Sequence, residues 1–160
     1  MRTAEDYELL NLQLKSLLAG QNYTISNLAN ASALLWDFLP DQVFTGFYLY
    51  NGEQLILGPF QGSVSCVEIR LGQGVCGEAA ADRRVILVDD VRAWKNYISC
   101  DSRAMSEIVL PLVKNDQLVG VLDLDAAEIN FYDEIDKKYL ADFAETLVDQ
   151  TDFEFFKVGE

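Results

Sequence analysis

The chain contains three cysteines, Cys66, Cys76 and Cys100, and no histidine. The missing imidazole removes Ser-His and Cys-His nucleophile pairs, His-ligated zinc and histidine bases together. Acid–base work then falls to carboxyls, thiols, Tyr or Lys. The cysteines form no CxxC pair, and three thiols without a fourth ligand make a poor structural zinc site. They are either inert small hydrophobes or reactive thiols, and each position bears on the choice. In the stretch 63–71, Val67, Ile69 and Leu71 alternate with Cys66, Glu68 and Arg70. If the apolar set faces the core, Cys66 points toward a cleft or solvent. Cys76 sits in a glycine turn that opens a short helix, where backbone N–H groups would stabilise a thiolate. Cys100 lies in a long irregular segment, 89–103, together with Trp94 and Tyr97; loops of this kind often carry function.

A second constellation is acidic. Asp123 and Asp125 stand two apart at the end of the apolar run Leu118 to Leu124, so both project from one face of a strand. Packing does not ask for two acids there. Glu107 opens the partner strand. Three acids converging on a pocket would suit a substrate ammonium, and their repulsion would leave one of them protonated near neutral pH. The competing reading is a solvated strand end.

The run Gly72-Gln73-Gly74-Val75-Cys76-Gly77 fits G-x-G-x-x-G. A dinucleotide site would need a full crossover helix and a parallel return strand. Only a short helix fits before Val85, so these glycines are expected to shape a turn.

The elements that must position these groups follow from periodicity. Residues 4–19 read as a helix with Leu9, Leu10, Leu14, Leu17 and Leu18 near helical spacing. A second helix spans about 24–39, with Ile25, Leu28, Leu35 and Leu39 on one face and Pro40 after it. Strands follow at 43–50 and 54–60 around the turn Asn51-Gly52. Then come 63–71, a short helix near 77–81, a strand at 85–88, and a pair at 108–113 and 118–124 around Asn115-Asp116. A last helix begins near Tyr132 and runs past Leu147, with Ile135, Leu140, Phe143 and Leu147 inward. Consecutive strands joined by tight turns and flanked by helices predict an α+β domain with a mostly antiparallel sheet. One domain accounts for residues 1–160, with its core in about 21–150.

Composition narrows the partners. Half of the 160 residues are hydrophobic and the net charge is −14. Such a polyanion is repelled by nucleic acid and anionic lipid. No apolar run approaches the length of a membrane span. The start Met1-Arg2-Thr3-Ala4-Glu5-Asp6 has no apolar signal region, so a cytoplasmic location is expected, where a structural disulfide is disfavoured.

The runs Gly58-Pro59-Phe60-Gln61-Gly62, Cys66, Leu71 to Gly77, Asp89-Asp90-Val91, Cys100-Asp101, Ser106 to Leu112 and Gly120 to Asp125 together resemble the free methionine-R-sulfoxide reductases, a branch of the GAF domains. The resemblance covers about 21–147. It implies a six-stranded antiparallel sheet flanked by helices, and thiol-dependent reduction of free methionine-R-sulfoxide without metal or organic cofactor. Cys100 would be the nucleophile, Cys66 the main resolving thiol and Cys76 a secondary one. Glu107, Asp123 and Asp125 would hold the sulfoxide and the ammonium, and Phe44 and Tyr48 would wall the methyl-thioether end. A thioredoxin-like dithiol would reset the enzyme, and two chains would pair through the first and last helices. The chain departs from the family at Phe44, where Trp is usual, and at Lys95-Asn96-Tyr97-Ile98-Ser99, where Pro-Gly-His-Ile-Ala is usual. A non-catalytic GAF module that senses a small ligand, or oxidants through its thiols, is the alternative.

One consequence is geometric. A two-residue turn at Asn115-Asp116 pairs Val113 with Leu118 and sets Glu107 opposite Leu124, on the wrong face. The acids can share a face only if this hairpin contains an odd loop or a bulge, which the strand register tests directly.

Overall fold

The computed structural model describes residues 1–153 of the chain. The chain begins with α1 (Ala4–Leu18) and α2 (Thr24–Phe38), followed by the hairpin β1 (Gln42–Tyr50) and β2 (Gln54–Gly62). Next come β3 (Glu68–Arg70), α3 (Gly74–Asp82), β4 (Ile86–Val88) and a single 3-10 turn, Val91–Ala93. The hairpin β5 (Ser106–Lys114) and β6 (Gln117–Ala126) and the helix α4 (Glu134–Gln150) complete the fold. The six strands form one sheet in the order β3-β2-β1-β6-β5-β4, and every pair is antiparallel. The α+β class and the antiparallel six-stranded sheet are therefore as expected.

The sheet separates two cores. On one face α1, α2 and α4 bury Tyr7, Leu14, Leu35 and Phe143 against Phe47, Leu122 and other strand residues. On the other face, α3 and the loops cover Tyr48, Val109 and Val121. Strand alternation sorts the side chains: Leu122 and Leu124 face the three long helices, whereas Val121 and Asp123 face α3. A strand buried on both faces reads as a nearly continuous apolar run, and the two Asp residues of β6 interrupt that run only on the α3 side.

Several expectations about faces change. Leu9, Leu17, Ile25 and Ile135 are exposed, while Tyr7 is fully buried in α1. Leucines at neighbouring positions of one helix cannot all point inward, because the helical repeat spreads them over more than one face. The stretch 63–71 shrinks to the three residues of β3, and Val67 is exposed. Cys66 therefore sits in a loop, where strand alternation does not set its direction.

The β5–β6 hairpin contains the required irregularity. Asn115 and Asp116 both have positive φ, at 50° and 63°, as a two-residue type I′ turn demands. Val113 pairs with Leu118, but the next pair is Leu112 with Gly120, so Val119 bulges out. Beyond the bulge, Glu107 pairs with Asp125 and Val109 with Asp123. All three acids then share the α3 face.

The first and last helices pack together, as expected. Tyr7 stacks on Tyr139 with ring centroids 5.5 Å apart. Asp136 fixes the joint. Its carboxylate accepts from Arg2 Nε at 2.7 Å, Arg2 Nη2 at 2.8 Å, Tyr7 Oη at 2.6 Å and the Asp133 backbone N–H at 2.8 Å. The last bond closes a capping box at the start of α4. Burial alone would raise the Asp136 pKa, but the bonds from Arg2 and Tyr7 outweigh it and hold the carboxyl below its ordinary value.

Breaking this node leaves Arg2 and Tyr7 without their shared acceptor, so Asp136→Ala should cost on the order of 3 kcal/mol of stability in urea unfolding. Because the native carboxyl titrates low, the difference from wild type is full at neutral pH. It shrinks as pH falls below about 4, through the folded-state pKa.

Candidate active site

Three elements deliver the acids and one of the thiols to a common point on the α3 face. β5 and β6 supply Glu107, Asp123 and Asp125 from adjacent, register-locked positions. Glu107 and Asp123 are buried, and Asp125 is half-buried. Cys76 comes from the third position of α3 and is also buried. Its thiol donates to Glu107 Oε1 at a sulfur–oxygen distance of 3.8 Å. Two glycines of the Gly72 to Gly77 run make this approach possible. Gly77 packs so closely on β3 that a side chain would collide with the Arg70 carbonyl. Gly74 opens α3 at φ 65° beneath the Ile98 side chain. The motif thus shapes a turn into a nine-residue helix beside an antiparallel sheet, as expected, and the strand that follows the helix, β4, pairs antiparallel with β5.

Two loops deliver the remaining thiols. Cys66 lies between β2 and β3. The Tyr48 hydroxyl donates to the Cys66 carbonyl at 3.0 Å and lies 2.8 Å from Ser65 Oγ. Cys100 lies in the segment 94–104. That segment is moored to α3 and its turn by Trp94 Nε1 donating to Glu78 Oε2 at 3.1 Å and Asn96 Nδ2 donating to the Gly72 carbonyl at 2.9 Å. Cys66 and Cys100 are joined as a disulfide, with Cα atoms 5.3 Å apart and a sequence separation of 34. Cys76 is a free thiol.

The disulfide borders a cavity of about 30 Å³ whose wall includes Tyr48, Cys76, Cys100 and all three acids. That space holds about one water molecule. Phe44 is not part of this wall. It pairs with Asp125 across the sheet and stacks on Phe60 at 5.2 Å and on Tyr48 at 6.0 Å, one ring behind the cavity.

The electrostatics follow from burial and mutual repulsion. Burial pushes the Glu107 pKa well up, and the charges of Asp125 and Asp123 push it further. Asp125 is raised by burial and by Asp123. Burial lifts Asp123 to about 6, against hydrogen bonds from Glu107 and Cys76 that favour its anion. Asp123 Oδ1 is buried with no hydrogen-bond partner. Cys76 corrects an expectation: its thiol pKa is raised by burial and by the neighbouring carboxylates, not lowered by the helix start. Desolvation and three acids outweigh a few backbone N–H groups.

The cavity wall also contains Ser65, Tyr97, Ile98 and Asp101, which the sequence did not single out as site residues. Arg103 donates to the Asp101 carboxylate at 2.7 Å and pulls its pKa down to about 2. It also donates to Ser63 Oγ, in the loop that carries Cys66. The available signal was proximity to the cysteines in sequence, since Ser65 and Asp101 each adjoin one.

A GAF domain signature matches residues 31–149. Protein YtsP of Bacillus subtilis is 49% identical over 145 residues, covering 89% of each chain. The free methionine-R-sulfoxide reductase of Escherichia coli (strain K12) is 40% identical over 159 residues, covering 98% of this chain and 96% of that protein. The crystal structure of free methionine-R-sulfoxide reductase from Neisseria meningitidis, in complex with its substrate, superposes with a TM-score of 0.89 at 36% identity, covering 94% of this chain and 90% of that one.

The raised Asp123 pKa has a stability consequence. A carboxyl raised by folding contributes stability below its unfolded value near 4 and loses it as pH rises through about 6. Asp123→Asn should therefore stabilise the protein by roughly 1–3 kcal/mol at pH 8 and little at pH 4. Urea unfolding at the two pH values measures this, and a loss at pH 8 would contradict it.

Proposed function

The chain belongs to the GAF domain family and, within it, to the free methionine-R-sulfoxide reductases, and on that premise we propose that it reduces free methionine-R-sulfoxide to methionine with its own thiols. The observation that carries the reading is the Cys66–Cys100 bond beside a cavity lined by three raised carboxyls. A structural disulfide would not need that company.

The reaction starts from the reduced enzyme. Cys100, as the thiolate, attacks the sulfoxide sulfur. The sulfoxide oxygen takes a proton from a neutral carboxyl as the sulfur–oxygen bond weakens, and Glu107, strongly raised and buried, is the candidate acid. The hydroxyl then passes from the substrate sulfur to the Cys100 sulfur as the bond between the two sulfurs breaks; methionine departs with its sulfur reduced by two electrons, and Cys100, oxidised by two, is left as a sulfenic acid. The Cys66 thiol attacks the Cys100 sulfur, water leaves, and the disulfide forms. A thioredoxin-like dithiol in the cytoplasm then reduces that bond. The chemistry calls on no metal and no organic cofactor. Cys76, buried and protonated at Glu107, serves as a reserve resolving thiol. The cavity beside the oxidised pair is far smaller than an amino acid, so substrate entry follows reduction of the disulfide and movement of the segment 94–104.

Selectivity rests on charge. Asp123 and Asp125 pair with the ammonium of a free amino acid, with Tyr48, backed by Phe44, at the thioether end. A sulfoxide inside a peptide has no ammonium and leaves buried acids unpaired, at several kcal/mol each. The reading also includes a homodimer, with exposed Leu9, Leu12 and Leu17 of α1 as the apolar contact; light scattering that shows only monomer at high concentration would remove it.

With free methionine-R-sulfoxide and a dithiol, the wild-type protein should release methionine, and peptide-bound sulfoxide should turn over negligibly. Cys100→Ser should abolish turnover, because serine forms no sulfenic acid. Cys66→Ser should keep a single turnover and slow recycling. Ligand binding without methionine release would favour the sensor reading instead. Steady-state activity in Cys100→Ser would show that the nucleophile lies elsewhere.

A further inference from the structure

Cys76, Glu107 and Asp123 have a geometry that the thiol chemistry does not require. One ligand-capable atom from each lies within 4.8 Å of the others, and all three residues are buried, at 4%, 5% and 4% exposure. The Sγ of Cys76 lies 3.8 Å from Glu107 Oε1. Among the described residues, no Lys or Arg forms an ion pair with any of the three. Asp123, 96% buried and lining the cavity, leaves its Oδ1 without any hydrogen-bond partner. A buried carboxylate oxygen with no donor is an open position for a cation.

We propose that Cys76, Glu107 and Asp123 form a binding site for a thiophilic divalent metal ion of the Zn2+ class. Zinc takes thiolate sulfur at about 2.3 Å and carboxylate oxygen at about 2.0–2.2 Å, which puts tetrahedral ligand atoms about 3.4–3.6 Å apart. The 3.8 Å between Cys76 and Glu107 is already close to that spacing. Three protein ligands leave the fourth position to a water, and the adjoining 30 Å³ cavity has room for one. The metal replaces the protons of the thiol and carboxyls, which pass to solvent. The single thiolate selects against Mg2+, which demands octahedral oxygen ligands. Resting on the substrate reading above, a second consequence follows: the ion occupies the acids that hold the ammonium, so metal and amino acid exclude each other.

The chain has only three cysteines, and in the oxidised protein Cys66 and Cys100 are bonded to each other. Any metal–thiolate signal from that form must come from Cys76. Co2+ titrated into the oxidised full-length protein should develop a thiolate-to-cobalt charge-transfer absorption that saturates at one equivalent. Zn2+ should displace it and Mg2+ should not. Cys76→Ser should abolish the band, and Asp123→Asn should weaken Co2+ binding by more than about tenfold. The double variant Cys66→Ser/Cys100→Ser, whose one thiol is Cys76, provides the same measurement with no disulfide at the cavity. Absence of a Cys76-dependent band in both forms overturns the site. Methionine-R-sulfoxide added to the cobalt-loaded double variant should bleach the band. If the band forms and the amino acid leaves it unchanged, the metal site stands and the ammonium assignment of the acids fails.

Discussion

Burial of Glu107, Asp123 and Asp125 together on one face, compounded by the repulsion between them, is the constraint on which the site depends. Carboxylates so close in a dry environment cannot all ionise, so protons stay on some of them at pH values where exposed acids would be bare. That retention turns a group of anions into a source of acid. It also makes the cluster an acceptor for any cation that can reach it, an ammonium or a metal ion. The raised thiol of Cys76 belongs to the same field. A single register decides whether the field exists, because one residue of slip would send Glu107 to the opposite face.

The protein contains a second buried acid that behaves in the opposite way. Asp136 is as deeply buried as Asp123, yet it is met by Arg2, Tyr7 and a backbone N–H, and its pKa falls. The contrast separates a carboxylate that holds helices together from one whose oxygen has no donor. Exposure does not distinguish them; an arginine, a hydroxyl and a backbone N–H meet Asp136, whereas Asp123 has Glu107 and Cys76 beside it and one oxygen with no donor. Stability is thus supplied at the α1–α4 joint and given up at the sheet face that carries the acids, the usual division between a scaffold and its site.

The rigid and movable parts are likewise distributed. The acids ride on the adjacent, register-locked strands β5 and β6 and Cys76 on a packed helix, which fixes their separations. Cys66 and Cys100 ride on loops whose anchors are a few side-chain hydrogen bonds: Tyr48 for one, Trp94 and Asn96 for the other. Arg103 spans both loops through Asp101 and Ser63. The proposed chemistry, in which two thiols separate for substrate and rejoin afterwards, calls for sulfurs on such segments and acids on strands.

Much of this was legible in the sequence. Period-2 and period-3.6 patterning gave every major element, and tight turns between strands required an antiparallel sheet. The pair Asp123 and Asp125 in an apolar strand can share a face with Glu107 only through an irregular hairpin, a parity requirement that the residue spacing alone contains. What failed were local faces. Leu9, Leu17, Ile25 and Ile135 look like core residues because hydrophobicity is scored along the chain, whereas burial depends on what packs across it. The bulge could be required but not located, since either an odd loop or Val119 satisfied the same parity. Only tertiary structure could show that Cys76 keeps its proton, that Phe44 stands behind the wall, and that Ser65, Tyr97 and Ile98 complete it. Those outcomes depend on distances between residues tens of positions apart. Sequence determines which groups are available and on which side of an element they fall; the three-dimensional packing determines how much water and how many opposing charges each of them meets.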